Sequence, residues 1–281
     1  MVAICSMIRK PLAFKTWLDY HISLGIEHFF LRIEDTPELS ELLDQYPGLI
    51  TCEYDDEVLR KDWSYNWHKQ SYRQEIFVNK TIKSCNKLGF KWIAHIDCDE
   101  LICANNLNFL DSVPDEYPCA VIENYEAIYP SDDIQDPFLG TDKFLSDGQG
   151  RLAYANGKSI GRVSEYLKVR GVHRFTGKVF EIGKEALILH YESPNFDKWY
   201  QKYLATKDHK LDSVIDFKFI KQSIEIIKTG DLKKIRDFYN EQKVKPYYDS
   251  FSHQIFWTPM SRQKNIFWKK FYGKFHKSLY N

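Results

Sequence analysis

The chain has 281 residues, enough for one large α/β domain or two small ones. Its 39 basic and 39 acidic residues cancel to a formal net charge of zero, which argues against a general nucleic-acid binder. With 43% apolar and 28% charged residues a sizeable core is available, and most of the many Tyr, Phe and Trp rings belong in it.

Strand-like and helix-like segments alternate through the first half. Val2 to Met7 is a short apolar run, and Pro11 to Leu24 follows with helical spacing through Leu12, Trp17, Leu18 and Ile22, stopped by Gly25. His28 to Ile33 reads as a second strand with Glu34 and Asp35 at its end. Thr36-Pro37 opens a short helix to Tyr46, closed by Pro47-Gly48, and Leu49 to Tyr54 is a third strand. A Trp- and charge-rich loop leads to a long helix from Lys69 to Leu88, ended by Gly89, and a fourth strand runs from Trp92 to Ile96. This alternation predicts an α/β fold, a mostly parallel sheet with helices on both faces. Cys119 to Glu123, Ser159 to Val163 and Ala186 to Leu189 read as further short strands, while Tyr129 to Ala155 is rich in Asp, Gly and Pro with little periodicity. From Asn195 onward the pattern is helical, over Asn195–Thr206, Val214–Lys228 and Asp231–Glu241. There is no repeat and no low-complexity linker.

The fourth strand ends in Asp97-Cys98-Asp99-Glu100. In open α/β sheets ligands bind at the carboxyl ends of strands. On an extended backbone Asp97 and Asp99 point to the same side, and two converging carboxylates call for a hard cation such as Mn²⁺ or Mg²⁺ with a diphosphate on its far side. A solvated acidic turn is the plainer reading of that segment alone. His190 also follows an apolar run, and a neutral imidazole there completes a mixed N/O set suited to Mn²⁺. Lys158, in the glycine-flanked turn Asn156-Gly157-Lys158-Ser159, and Lys202, one helical turn beyond Lys198, are candidate cations for a leaving diphosphate, against the alternative of solvated surface lysines.

Four motifs in order over residues 1–205 resemble GT-A-type glycosyltransferases, most closely family 92 and its family-2-like relatives. Trp17-Leu18-Asp19-Tyr20-His21-Ile22-Ser23-Leu24-Gly25-Ile26-Glu27-His28-Phe29 is similar to the family's EWxxYHxxLGxxHF opening, and Trp92 to Leu101 to its WxxxxDxDEF motif. Gly157-Lys158-Ser159-Ile160 with His173 downstream, and His190-Tyr191 with the helix to Lys202, complete the set. The chain departs from the pattern at Asp19 (usually Glu), at Leu101 (usually Phe) and at Glu34-Asp35-Thr36-Pro37, where an Asp-Asn-x-Ser-like turn is usual.

The resemblance implies a GT-A catalytic domain over residues 1–205 and a helical carboxyl-terminal extension over 206–281 packed on it. It implies a nucleotide-sugar donor, UDP-linked, a metal held by Asp97, Asp99 and His190, a glycan or glycoprotein acceptor, and inversion at the anomeric carbon. Inversion needs a carboxylate base, and the candidates after the fifth strand are Glu123, Glu126, Asp132 and Asp133, with Glu126 and Asp133 carried forward. It also places the nucleotide over the ends of the first strands, near Ser6, Arg9, Glu34, Asp35 and Trp67.

The six cysteines form no CxxC pair and several lie in apolar runs, so they read as reduced thiols rather than a disulfide or zinc framework. No run approaches the ~18 apolar residues of a transmembrane helix, and no signal-peptide core follows the amino terminus. The expectation is cytoplasmic, or a Golgi-type lumen if an anchor precedes this chain in a longer protein. Residues 262–281 carry six Lys/Arg, no acid, and Phe267, Phe271 and Phe275 at i, i+4 spacing, which suits either peripheral contact with an anionic membrane or packing onto the domain. Two other functions use the same features: a metal-dependent phosphoesterase acting on a diphosphate, and a carbohydrate-binding protein without turnover.

Overall fold

The computed structural model describes residues 1–55, 69–145, 153–154, 156–206 and 218–248. In chain order the elements are β1 (Val2–Arg9), α1 (Phe14–Leu24), β2 (His28–Glu34), a 3-10 turn (Pro37–Leu39) running into α2 (Ser40–Leu43), β3 (Ile50–Tyr54), α3 (Gln70–Leu88), β4 (Trp92–His95) and β5 (Glu100–Ala104). After a 3-10 segment (Leu107–Ser112) come β6 (Cys119–Ile122), β7 (Asn124–Ile128), α4 (Pro137–Gly140), β8 (Lys143–Leu145), β9 (Lys158–Arg162), β10 (Val169–Arg170), β11 (Arg174–Phe175), β12 (Val179–Glu181) and β13 (Ala186–His190). The chain continues through α5 (Phe196–Thr206), α6 (Lys218–Lys228), α7 (Leu232–Tyr239), a π turn (Asn240–Val244) and α8 (Lys245–Tyr248).

Two compact units share this chain. The first comprises Met1–Ile102, Asn106–Asn124 and Tyr154–His190; the second comprises Cys103–Asn105, Tyr125–Ala153 and the residues from Tyr191 on.

The first unit is built on a seven-stranded sheet in the order β12-β6-β9-β4-β1-β2-β3. β4, β1, β2 and β3 are parallel throughout, as the strand–helix alternation predicts. β9 runs antiparallel to both β4 and β6, while β12 is parallel to β6, so β9 is a single reversed strand and β6 and β12 run in the direction of β4. The central strands β1 and β4 are apolar almost end to end because both faces are covered, whereas the edge strand β3 is only partly buried. On one face Ala3, Cys5 and Ile93 meet Phe77, Val78, Ile82 and Cys85 of α3, spaced so that one stripe of the helix is apolar. On the other, Trp17 of α1 sits edge-on to Phe29, 5.8 Å between ring centres, and donates its Nε1–H to the Glu100 carbonyl at 2.7 Å. Gly25 and Gly89, the helix stops of the sequence, end α1 and α3 at φ of 105° and 76°, in the left-handed region.

The second unit is mainly helical. Phe196, Trp199 and Tyr203 of α5 pack with Phe219, Ile224 and Ile227 of α6 and with Ile235 and Tyr239 of α7. β7 and β8 pair antiparallel, Glu126 opposite Leu145. No helix among the described residues is long and apolar enough to cross a membrane. The basic, Phe-bearing segment 262–281 lies outside the described residues.

Candidate active site

β4 ends at His95, and the acidic residues after it lie in a turn rather than on an extended backbone, with the Glu100 N–H donating to the Asp97 carbonyl at 3.1 Å. The turn undoes the expected convergence and gives the two aspartates separate partners. Asp97 accepts from Gln74 Nε2 at 3.0 Å and from Lys158 Nζ at 2.6 Å. Asp99 faces His190, its Oδ2 lying 3.6 Å from the ring Nε2. His190 closes β13, at the strand end where the sequence placed it.

Asp99 and His190 fit one divalent ion. Two ligands each about 2.1 Å from a shared ion stand about 3.0 Å apart at a right angle and about 3.4 Å at the tetrahedral angle, so this pair, at 3.6 Å, would need to close by only a few tenths of an ångström. Asp97 joins such a set only by exchanging Lys158 for the ion, since both its oxygens are engaged. Among the described residues no group of three His, Cys, Asp or Glu side chains is arranged around a metal position.

Lys158 differs most from its expected setting. Its side chain is 1% exposed, and Nζ lies 2.6 Å from Asp97 and 3.3 Å from Glu100. Burial works against its charge, but the two carboxylates outweigh burial and hold the ammonium protonated above its ordinary range. Asp97 shows the reverse balance: burial would raise its carboxyl, and Lys158 pulls it well below the usual range. Glu100 is fully buried and is pushed up to about 7 by burial, with Lys158 opposing. Its Oε2 accepts the Asp97 N–H at 2.8 Å, and Oε1 accepts from the Tyr154 hydroxyl.

The loop that delivers Lys158 is tightly held. Asn124 Nδ2 donates to the Tyr154 carbonyl at 2.8 Å, while its Oδ1 accepts the Gly157 N–H at 2.9 Å. Gly157 has φ 63°, and a Cβ there would come within 2.2 Å of the Ile122 carbonyl oxygen. His173, named in the sequence only as part of a motif, stacks obliquely on Tyr154 at 4.4 Å, and burial first, then Lys158, lowers its imidazole to about 3.

At the ends of β1 and β2 the residues expected near a nucleotide have distinct surroundings. Glu34 is buried and saturated, accepting from Arg73 Nε and Nη2 at 2.8 Å each and from Arg32 Nε at 2.9 Å. Burial raises its carboxyl, and the two arginines more than reverse that, so it stays below the usual range. Arg9 and Asp35 pair at 2.9 Å with side chains 59% and 36% exposed, which leaves them able to meet a ligand. Asp35 holds a left-handed φ of 47°. Ser6 is fully buried in β1. Trp67 lies outside the described residues.

The remaining candidates belong to the second unit. The Glu126 carboxylate is buried 3.7 Å from Lys243 Nζ, which also pairs with Glu192 at 3.2 Å. Lys202 is half exposed and pairs with Glu192 at 3.0 Å. Asp133 is exposed and accepts from the Ser131 hydroxyl, and Asp132 pairs with Arg236. Sequence reasoning missed Gln74, Arg73, Tyr154 and a role for Glu100. Only Glu100 had a signal, standing inside the acidic run; the others are ordinary polar residues until the fold brings them in.

Two Arabidopsis thaliana proteins described as Glycosyltransferase-like At2g41451 and Glycosyltransferase-like At3g57200 are similar to this chain at 29% and 26% identity, each over 64% of it. The chain spans about half the length of these relatives, 51% and 44%. Among solved structures, HddC from Yersinia pseudotuberculosis aligns over 68% of this chain and 93% of its own at 12% identity and a TM-score of 0.37, which carries no functional argument. Glycosyltransferase family 92 matches residues 2–242, a span from β1 into the π turn that includes the acidic turn, the Lys158 loop and His190. The chain belongs to glycosyltransferase family 92.

Proposed function

We propose that the protein is a metal-dependent glycosyltransferase that moves a sugar from a nucleotide donor, UDP-linked, to a hydroxyl of a glycan or glycoprotein with inversion at the anomeric carbon. The observation that carries the reading is the Asp99–His190 pair, 3.6 Å apart beyond the carboxyl end of β4, in a chain of this family. A Mn²⁺ or Mg²⁺ ion held there supplies the counter-charge to the departing diphosphate. The chain's own groups do the rest. Lys158 fixes Asp97 and Glu100, so the acidic turn is set before substrate arrives, which is where electrostatic catalysis gains most. Arg9 and Asp35, exposed at the ends of β1 and β2, are the groups to meet the nucleotide, an arginine by hydrogen bonds to phosphate and a carboxylate by accepting from ribose hydroxyls. Glu34 acts indirectly by holding Arg73. For the base, Asp133 has the solvent-facing carboxylate, whereas Glu126 is engaged with Lys243.

The test is a panel of nucleotide sugars with Mn²⁺ and glycan acceptors, reading released nucleotide. Acceptor-dependent nucleoside diphosphate, lost in Asp99→Ala and on chelation, is the expected result. Acceptor-independent nucleoside monophosphate would make the protein a phosphoesterase. Tight glycan binding with no release would make it a binding protein.

A further inference from the structure

Tyr154 stands between the two arms of the site. Its ring centre is 5.0 Å from that of His190, inclined at 52°, and 4.4 Å from that of His173 on its other contact, inclined at 51°. The tyrosine is 5% exposed and its hydroxyl donates to Glu100 Oε1. The other oxygen of Glu100 accepts the Asp97 N–H, so the hydroxyl anchors the residue that ties the acidic turn. Neither contact belongs to the ion position itself.

We infer that Tyr154 is a positioning residue: through its ring it orients the His190 imidazole, and through its hydroxyl on Glu100 it fixes the turn that carries Asp99. One side chain thereby sets both groups that face each other at 3.6 Å. An imidazole on a strand end can rotate about two side-chain bonds, and a packed ring beside it removes that freedom before an ion arrives. Glu100 ties the turn through its Oε2, which accepts the Asp97 N–H, and through its own N–H to the Asp97 carbonyl, and the Tyr154 hydroxyl shares with Lys158 the work of holding that carboxylate. Fixing ligand orientation from outside the ligand set is worth on the order of 10–100-fold in ion affinity. Asn124, which grips both the Tyr154 carbonyl and the Gly157 N–H, places the ring. The inference rests on the proposed ion site.

The experiment measures Mn²⁺ affinity, with the metal alone and no donor, for the wild type and for Tyr154→Phe, Tyr154→Leu and His190→Ala. The His190 ring proton shift is followed in the metal-free proteins. Tyr154→Phe keeps the ring and loses the hydroxyl, so its affinity should fall about 10-fold with the His190 shift unchanged. Tyr154→Leu loses both, so affinity should fall toward 100-fold and the ring-current shift of His190 should disappear. Wild-type affinity in Tyr154→Phe overturns the inference, whether or not Tyr154→Leu folds. A folded Tyr154→Leu with an unmoved His190 signal overturns it too. Failure of the underlying reading looks different: the wild type binds no Mn²⁺, or His190→Ala binds it as well as the wild type.

Discussion

Replacing Lys158 with Met removes an ammonium that faces two carboxylates of the acidic turn. Lys158 Nζ lies 2.6 Å from Asp97 and 3.3 Å from Glu100, its side chain is 1% exposed, and that of Glu100 is fully buried. Breaking a buried pair by deleting one partner costs about 3–5 kcal/mol, because the other charge stays behind without compensation. For a chain of this size that is a fall in Tm on the order of 10 °C. The loss has a pH signature. Glu100 titrates at about 7 in the folded protein, above its ordinary 4.5, so the stability tied to its protonated form is complete below pH 4.5 and is lost as pH rises through 7. Without Lys158 the opposing charge is gone, Glu100 titrates higher still, and the window extends upward. Thermal unfolding of Lys158→Met should therefore show a large deficit at pH 8 that narrows at pH 5. Adding Glu100→Gln should recover much of the pH 8 loss by removing one stranded carboxylate. A Tm within 2 °C of wild type at pH 8, or a double variant no better than the single, would refute the reasoning.

Gly157→Ala should destabilise the protein by roughly 2 kcal/mol or more, since a left-handed φ and a Cβ 2.2 Å from the Ile122 carbonyl oxygen both oppose it; chemical denaturation reads this, and an unchanged midpoint removes the steric argument. His21 is buried between the Trp17 carbonyl at 2.9 Å and the Ile102 N–H at 3.2 Å, and burial lowers it to about 3. Its neutral form contributes stability in full above pH 6.5, lost as pH falls toward 3, on the order of 4 kcal/mol across that window. His21→Gln should flatten the acid limb of a stability–pH curve, and an identical limb would exclude His21 as its cause. In the second unit, Lys243→Met should cost about 3 kcal/mol by removing the ammonium shared by Glu126 and Glu192 and leaving Glu192 to Lys202, whereas a wild-type unfolding midpoint would mean that the remaining partners suffice.

Much of this protein is legible without coordinates. The parallel half of the sheet, α1 and α3 with their glycine stops, and the strand ends bearing Asp97 and His190 follow from the spacing of apolar residues, because helices and strands impose periods of 3.6 and 2 on any sequence that buries one face. Four motifs in order were enough to point to the family that residues 2–242 match. The short strands β10, β11 and β12 were not legible, being two or three residues each and held by neighbours rather than by pattern.

The division between sequence and tertiary structure falls inside the site itself. The sequence determined which groups are present and that Asp97, Asp99 and His190 follow apolar, strand-like runs. Only the fold decided how they are used: a turn rather than a strand carries the aspartates, so Asp97 faces Lys158, 61 residues away, while Asp99 faces His190. The same holds for Glu34, an open strand-end acid in the sequence but one closed by Arg73, 39 residues on. The physical reason is that periodicity is a local property, written in neighbouring residues. The charge state and availability of a carboxylate depend on desolvation and on which distant cation the packed chain brings within 3 Å.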